Sequence, residues 1–205
     1  MARETVPRIA LIIGSTRPNR FADVPAKWLL DAASGRHDMT IETLDLRDWV
    51  LPFYEEPSTP SVTGGVYTNP AAERWRRKLG EFDGFIATAA EYNHGPTAVL
   101  KNAFDSAHNE WAEKPISYIA YGGVGGARAV EQLRMIAVEL QLVPIKQAIH
   151  IGLEPFIGVL MQGKSLDDYP FLAQARTAML DRLVWWAKAL KAARAVTAEA
   201  DSIAA

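Results

Sequence analysis

Short runs of apolar and β-branched residues recur along the chain at positions 9–13, 40–44, 84–88, 116–121 and 145–151. Each is followed, in some cases after a loop, by a stretch with helical periodicity: 24–33, 71–79, 97–108, 127–140 and 169–196. Apolar runs too short for helices and bounded by Gly or Pro read as strands. Their continuity, with no polar alternate, favours a parallel sheet covered on both faces. Strand followed by helix five times over predicts an α/β fold, a doubly wound five-stranded parallel sheet with helices on both faces. Right-handed crossovers limit the winding, but strand order is not written in a single sequence.

The breaker residues fit that scheme. Pro115 opens the fourth strand, where a missing N–H is tolerated, and Pro144 is placed to stop the fourth helix. Residues 51–69 hold three prolines and a Gly-Gly pair, so they are expected to form a long loop with a functional or interface role. The Ala-rich segment from Lys191 continues the last helix and is expected to fray from about residue 197. There is no internal repeat or linker, so residues 1–205 read as one domain.

Composition narrows the partners. The 205 residues carry 22 Lys+Arg against 24 Asp+Glu, a net charge of −2 that gives no case for a nucleic-acid or membrane partner. With no cysteine, the chain has no disulfide, thiolate nucleophile or cysteine metal ligand. The four histidines (His37, His94, His108, His150) lack metal spacing. No apolar run approaches the roughly 20 residues that span a bilayer. The apolar run at 9–13 is also too short for a secretory signal, so the expected location is cytoplasmic.

Three strand-to-helix junctions carry the candidate chemistry, because ligands of open α/β sheets sit beyond the carboxyl ends of strands. The first is Gly14-Ser15-Thr16-Arg17-Pro18-Asn19-Arg20, whose hydroxyls and two guanidiniums suit an anion better than an ordinary polar turn does. The second is Glu91-Tyr92-Asn93-His94-Gly95-Pro96, with Thr97 placed to cap a helix. It supplies a flat ring and amide groups, although a plain turn over a half-buried Tyr accounts equally well for it. The third is Tyr121-Gly122-Gly123-Val124-Gly125-Gly126, where glycines permit close approach of a ligand or another backbone. It is not the dinucleotide fingerprint, since Arg128 stands where the third Gly belongs. Residues 158–165 (GVLMQGKS) match the phosphate-loop pattern by letter, but apolar middle residues and the following Asp167, Asp168 and Pro170 argue against it. Of six tryptophans, most read as core; Trp185 and Trp186 cannot both point into one core, leaving one for a partner subunit or a sheet edge.

Together the three loops, with Leu100-Lys101-Asn102-Ala103 and the stretch from Arg128 to Arg134, resemble the NADPH-dependent FMN reductase family of flavodoxin-like proteins over residues 8–150. The resemblance implies a flavodoxin-like fold and an NAD(P)H-dependent oxidoreductase using bound FMN to reduce a flavin, quinone, azo or similar small-molecule acceptor. NADPH or NADH would be the reductant, and a homodimer or homotetramer the assembly. By resemblance, Ser15, Arg17 and Arg20, with Phe21 beside them, would hold the FMN phosphate. Glu91, Tyr92, Asn93 and His94 would line the isoalloxazine, and Tyr121, Gly122 and Gly123 would pass over its pyrimidine side. The chain departs from many members at Ala90, where they carry proline, and at Arg20-Phe21-Ala22, where they carry Ser-x-Asn. Hydride transfer to a flavin needs no protein acid or nucleophile, so no catalytic residue is named. A flavodoxin-like FMN-binding electron carrier or sensor without NAD(P)H turnover is the alternative. The near-neutral charge and the long loop weigh against it, since carriers commonly present an acidic face.

Overall fold

The computed structural model describes residues 6–204, with backbone alone for Ser61 and residues 198–204. Four of the expected strands form nearly where the apolar runs place them: β1 (Arg8–Ile13), β2 (Thr40–Asp45), β3 (Gly84–Ala90) and β4 (Pro115–Tyr121). The fifth position is filled by two short segments, β5 (Val143–Pro144) and β6 (Ile149–Ile151), each pairing with β4. All pairings are parallel and the order is β2-β1-β3-β4-β5, the flavodoxin-like winding.

Alternation explains why the central strands are apolar throughout. Ile9, Leu11 and Ile13 of β1 feed one core, while Ala10 and Ile12 feed the other. The first core is closed by α1 (Asp23–Ala33) and α7 (Pro170–Ala204). The second is closed by α3 (Pro70–Gly80), α4 (Ala98–Asp105) and α5 (Ala127–Glu139), through Trp75, Leu100, Phe104 and Leu133. Thr97 caps α4 as expected, its hydroxyl accepting from the Leu100 N–H at 3.2 Å.

Several boundaries are corrected. Of the expected strand over 145–151 only 149–151 is strand. The Ile145 N–H still donates to the Ile116 carbonyl at 3.0 Å, and the next two residues give their carbonyls to side chains instead of the ladder. The partners are Arg134 at 3.0 Å and the Ser117 hydroxyl at 2.6 Å. Pro144 does not end a helix: α5 stops at Glu139, and Pro144 pairs with Ile116 inside β5. The long loop 51–69 contains one helical turn, α2 (Pro60–Thr63). A helix absent from the expectations, α6 (Leu153–Met161), follows β6. The phosphate-loop lookalike falls on the end of α6 and its exit, not between a strand and a helix. Fraying expected from residue 197 falls mostly on residues whose side chains lie outside those described, while helical backbone continues to Ala204. Trp186 packs against the first core and Trp185 is 54% exposed, so the pair does divide between inside and outside. No helix among the described residues is long and apolar enough to cross a membrane.

Candidate functional site

The three predicted loops meet at the carboxyl end of the sheet, at the switch point where β1 lies between β2 and β3. Gly14 draws the first two together. Its N–H donates to the Thr88 hydroxyl at 2.9 Å, and its carbonyl accepts from the Thr97 hydroxyl at 2.5 Å. A Cβ on Gly14 would collide with the Thr88 carbonyl, so only glycine permits this approach.

Two adjoining cavities open here. The larger, about 540 Å³, is walled by Leu51, Pro52 and Phe53 on one side and by Thr97, Val99 and Asn102 on the other. The smaller, about 330 Å³, is walled by Phe21, Tyr121, Gly122, Phe156 and Leu160. Ser15, Arg17 and Tyr92 line both.

The two arginines of the first loop have different duties. Arg17 is exposed, makes no ion pair among the described residues, and lies over the Tyr92 ring with Cζ 5.9 Å from the centroid. Arg20 is turned inward, its side chain 3% exposed. It grips both oxygens of Asp45, donates to Asp23 at 2.7 Å and donates to the Ser15 carbonyl at 2.6 Å. The Arg20 guanidinium holds the Asp45 carboxyl below the usual carboxylate range, against the opposing effect of burial. Arg20 also lines the smaller cavity, but its guanidinium donors are spent on shaping the loop, which leaves its backbone rather than its side chain to meet an anion.

The second loop is a tight reversal. Tyr92 and Gly95 exchange backbone hydrogen bonds at 2.9 and 3.0 Å, and the two residues between them have positive φ, 50° at Asn93 and 70° at His94. That is the pattern of a type I′ turn, which suits Asn but strains His. His94 is held from α5: its carbonyl accepts from Gln132 at 2.7 Å, and its Nε2 lies 2.7 Å from Arg128 Nη1. Because arginine only donates, Nε2 is the unprotonated ring nitrogen in this contact. Glu91, its side chain 4% exposed, pairs with the same Arg128 guanidinium and accepts from the Arg128 N–H at 3.2 Å. Glu91 and His94 thus tie the second loop to the third. Tyr92 alone of this group turns an exposed ring to both cavities. Glu91 also lines the smaller cavity, whereas Asn93 and His94 line neither.

In the third loop Tyr121 and Gly122 reach the smaller cavity and Gly123 does not. Gly122 has φ of 147°, and a Cβ on Gly126 would lie 2.7 Å from that of Ala120. Phe21, Tyr121 and Phe156 form an aromatic wall, with Phe21 4.6 Å from Phe156 and 5.1 Å from Tyr121. Burial pushes the Tyr121 phenol well above its ordinary pKa, so it stays a neutral hydrogen-bonding group. Leu51, Pro52 and Phe53 are positioned by Asn102, whose amide donates to the Pro52 carbonyl at 2.8 Å and accepts from the Tyr54 N–H at 3.1 Å.

This arrangement can take a flat heteroaromatic against the Tyr92–Tyr121–Phe156 surfaces and an anion against Arg17. The sequence model of NADPH-dependent FMN reductases matches residues 7–154. The chain belongs to that family. An NAD(P)H-dependent FMN reductase of Schizosaccharomyces pombe is 34% identical over 145 residues, 70% of this chain and 72% of that protein. An NAD(P)H:quinone oxidoreductase of Solanum tuberosum is 36% identical over 151 residues, 69% of this chain and 73% of that protein. Among solved structures, the flavoenzyme NAD(P)H:(acceptor) oxidoreductase FerB from Paracoccus denitrificans shares the fold, with TM-score 0.67 and 24% identity, covering 89% of this chain and 98% of that one.

The FMN reductase family match stops at residue 154, before Phe156 and Leu160. Those two wall residues escaped the sequence reading because α6 is apolar on most sides and interrupted by Pro155 and Gly158, leaving no clear period. The residues present fit the family's cofactor. A guanidinium with no ion pair among the described residues serves a phosphate, and a cavity walled by aromatics serves a planar ring system.

Proposed function

We propose that this chain is an NAD(P)H-dependent oxidoreductase that holds FMN in the joined cavities and reduces a flavin, quinone, azo or similar acceptor. The observation that carries this reading is the unpaired Arg17 set beside the ring surfaces of Tyr92, Tyr121 and Phe156 at the sheet's switch point. Bound FMN would accept a hydride from the nicotinamide and pass electrons on, which is the chemistry the protein itself lacks. The chain's own residues bind and orient. Ser15 and Arg17 would meet the phosphate, and Phe21, Tyr92, Tyr121, Gly122 and Phe156 would bracket the ring. Arg20, Glu91 and His94 act through the loops they hold, and Asn93 and Gly123 would contribute through the backbone of those loops. Preorganised loops of this kind place a hydride donor and acceptor face to face without a protein proton donor.

The reading extends to residues 1–205 as one domain and to a homodimer or homotetramer. Phe53, lining the larger cavity, is 80% exposed, and Met135 and Val138 of α5 are 73% and 63% exposed, apolar side chains that a second subunit would cover. A reductant that is an intracellular metabolite supports a cytoplasmic location. The test is the visible spectrum of the purified protein, then anaerobic addition of NADPH. Flavin absorbance that bleaches with one equivalent of NADPH is expected. Bound flavin that NADPH does not bleach would mark a carrier or sensor, and failure to bind FMN at all would refute the reading. Light scattering that gives a monomer at micromolar concentration would refute the assembly.

A further inference from the structure

The outer face of α7 repeats every seven residues. Phe171, Ala178, Trp185 and Ala192 fall on one line along the helix and are exposed, while Leu172, Met179 and Leu183 point into the first core. Large and small side chains alternate along that line. Phe171 and Trp185 are each 54% exposed. The charges Asp181 and Arg182 stand at its middle, between the small Ala178 and the large Trp185.

A groove of about 500 Å³ runs beside Ala178, lined also by Ala173, Gln174, Thr177 and Asp181. The same helix carries a side chain shaped to fill such a hollow. Trp185 is held outward, its ring edge-on to that of Trp186 with 5.1 Å between centroids, and Trp186 packs on the first core. Arg182 lies against the Trp185 ring, with Cζ 5.6 Å from the centroid, and makes no ion pair among the described residues. Asp181 accepts from Arg36 at 2.6 Å and is still 59% exposed, so it has room for a second guanidinium.

We propose that α7 pairs with α7 of a second copy of this chain, antiparallel, about a two-fold axis passing between residues 181 and 182. That register lays Trp185 of each copy over Ala178 of the other, in the groove, and Phe171 over Ala192. It also sets Asp181 of each copy opposite Arg182 of the other, giving two reciprocal ion pairs. A parallel pairing would instead stack Trp185 on Trp185 and bring like charges together. The antiparallel arrangement opposes the two helix dipoles as well. A patch that matches itself in both size and charge when read backwards is what an isologous two-fold contact requires, and an unrelated partner gives no reason for it. Residues 171–196 span about 39 Å of helix. Two such faces cover on the order of 1,000 Å², the lower bound for a specific interface. The proposal deepens the assembly stated above by naming a pair of faces for it. It stands apart from the flavin reading, because Trp185 lines neither cavity.

The test uses the full-length, flavin-loaded protein. Trp185→Glu and Ala178→Trp, both at exposed positions, should each halve the mass seen by light scattering at micromolar concentration. Association should weaken about thirtyfold or more, the scale of a buried tryptophan anchor. Circular dichroism should show both variants folded. Ala178→Trp combined with Trp185→Ala should restore the parent's mass, because the same register brings the new indole over the new alanine. The chain has no cysteine, so a spin label at Ala189→Cys reads the register directly. The two labels should lie about 25 Å apart in the antiparallel pair, against about 10 Å in a parallel one. An oligomer whose mass is indifferent to Trp185→Glu would overturn the pairing alone, and so would an exchanged variant that stays at half mass. A monomeric parent would overturn the pairing and the assembly together, leaving the flavin reading in place.

Discussion

Replacing Arg20 by methionine, which keeps length and removes charge, should destabilise the protein strongly although the residue also lines the smaller cavity. The guanidinium is 3% exposed, Asp45 is 22% exposed and Asp23 is 51% exposed. Breaking a buried pair costs about 3–5 kcal/mol, mostly because the stranded charge stays buried. Asp23 can rehydrate and Asp45 can do so in part, keeping the Arg47 N–H at 2.9 Å as a donor. The loss therefore belongs at the lower end, about 3 kcal/mol. With a urea m-value of about 2 kcal/mol/M, the midpoint should fall by about 1.5 M. Acid supplies an internal check. Arg20 lowers the folded-state pKa of Asp45, so the pair's contribution is complete above the unfolded value of about 3.9 and disappears as pH falls through the lowered one. The gap between parent and variant should be constant from about pH 8 to 5 and should narrow below about pH 4. Equilibrium urea unfolding followed by circular dichroism reads both. A loss under about 1 kcal/mol at pH 7, or a gap that does not narrow in acid, would refute the view of Arg20 as the loop's internal anchor.

Arg17→Ala should behave oppositely, weakening FMN by about 1.5–3 kcal/mol in a fluorescence titration with the urea midpoint of the unliganded protein unchanged. Tyr92→Ala should weaken FMN and shift its visible spectrum, whereas lower stability with unchanged flavin affinity would make this ring a packing residue. Asn102→Ala removes the bonds holding Pro52 and Tyr54, so the Tyr54 amide should exchange faster and global stability should fall by about 1–2 kcal/mol.

What the sequence disclosed follows from how local each interaction is. The four leading strands are legible because each is a continuous apolar run that must be covered on both faces, and Thr97 announces its own helix. The duties of Arg17 and Arg20 are not. They stand three residues apart with identical chemistry, and what separates them is Asp45, 25 residues on, brought near only by the pairing of β2 with β1. The ties that Glu91 and His94 make were hidden for the same reason, since their partner Arg128 arrives from α5, beyond another strand. In the fifth strand, Pro144 read as a helix stop because its pairing partner Ile116 lies on another element.

The interruption between β5 and β6 also bears on how this molecule behaves in a crowd. A sheet of this kind has two open rims, each a row of unpaired amides and carbonyls on which a second chain could add a strand. On one rim the row is broken: β4 pairing lapses between Pro144 and Ile149, and Pro144 contributes no N–H. On the other rim, β2 carries Thr40, Glu42, Thr43 and Asp45, and Glu42 is engaged by Arg8 and Lys78. Neither border offers a long, flat, apolar template. The backbone edges therefore resist fibre-like stacking. Restoring a continuous strand by deleting residues 146–148 would be expected to exchange that resistance for a stickier border.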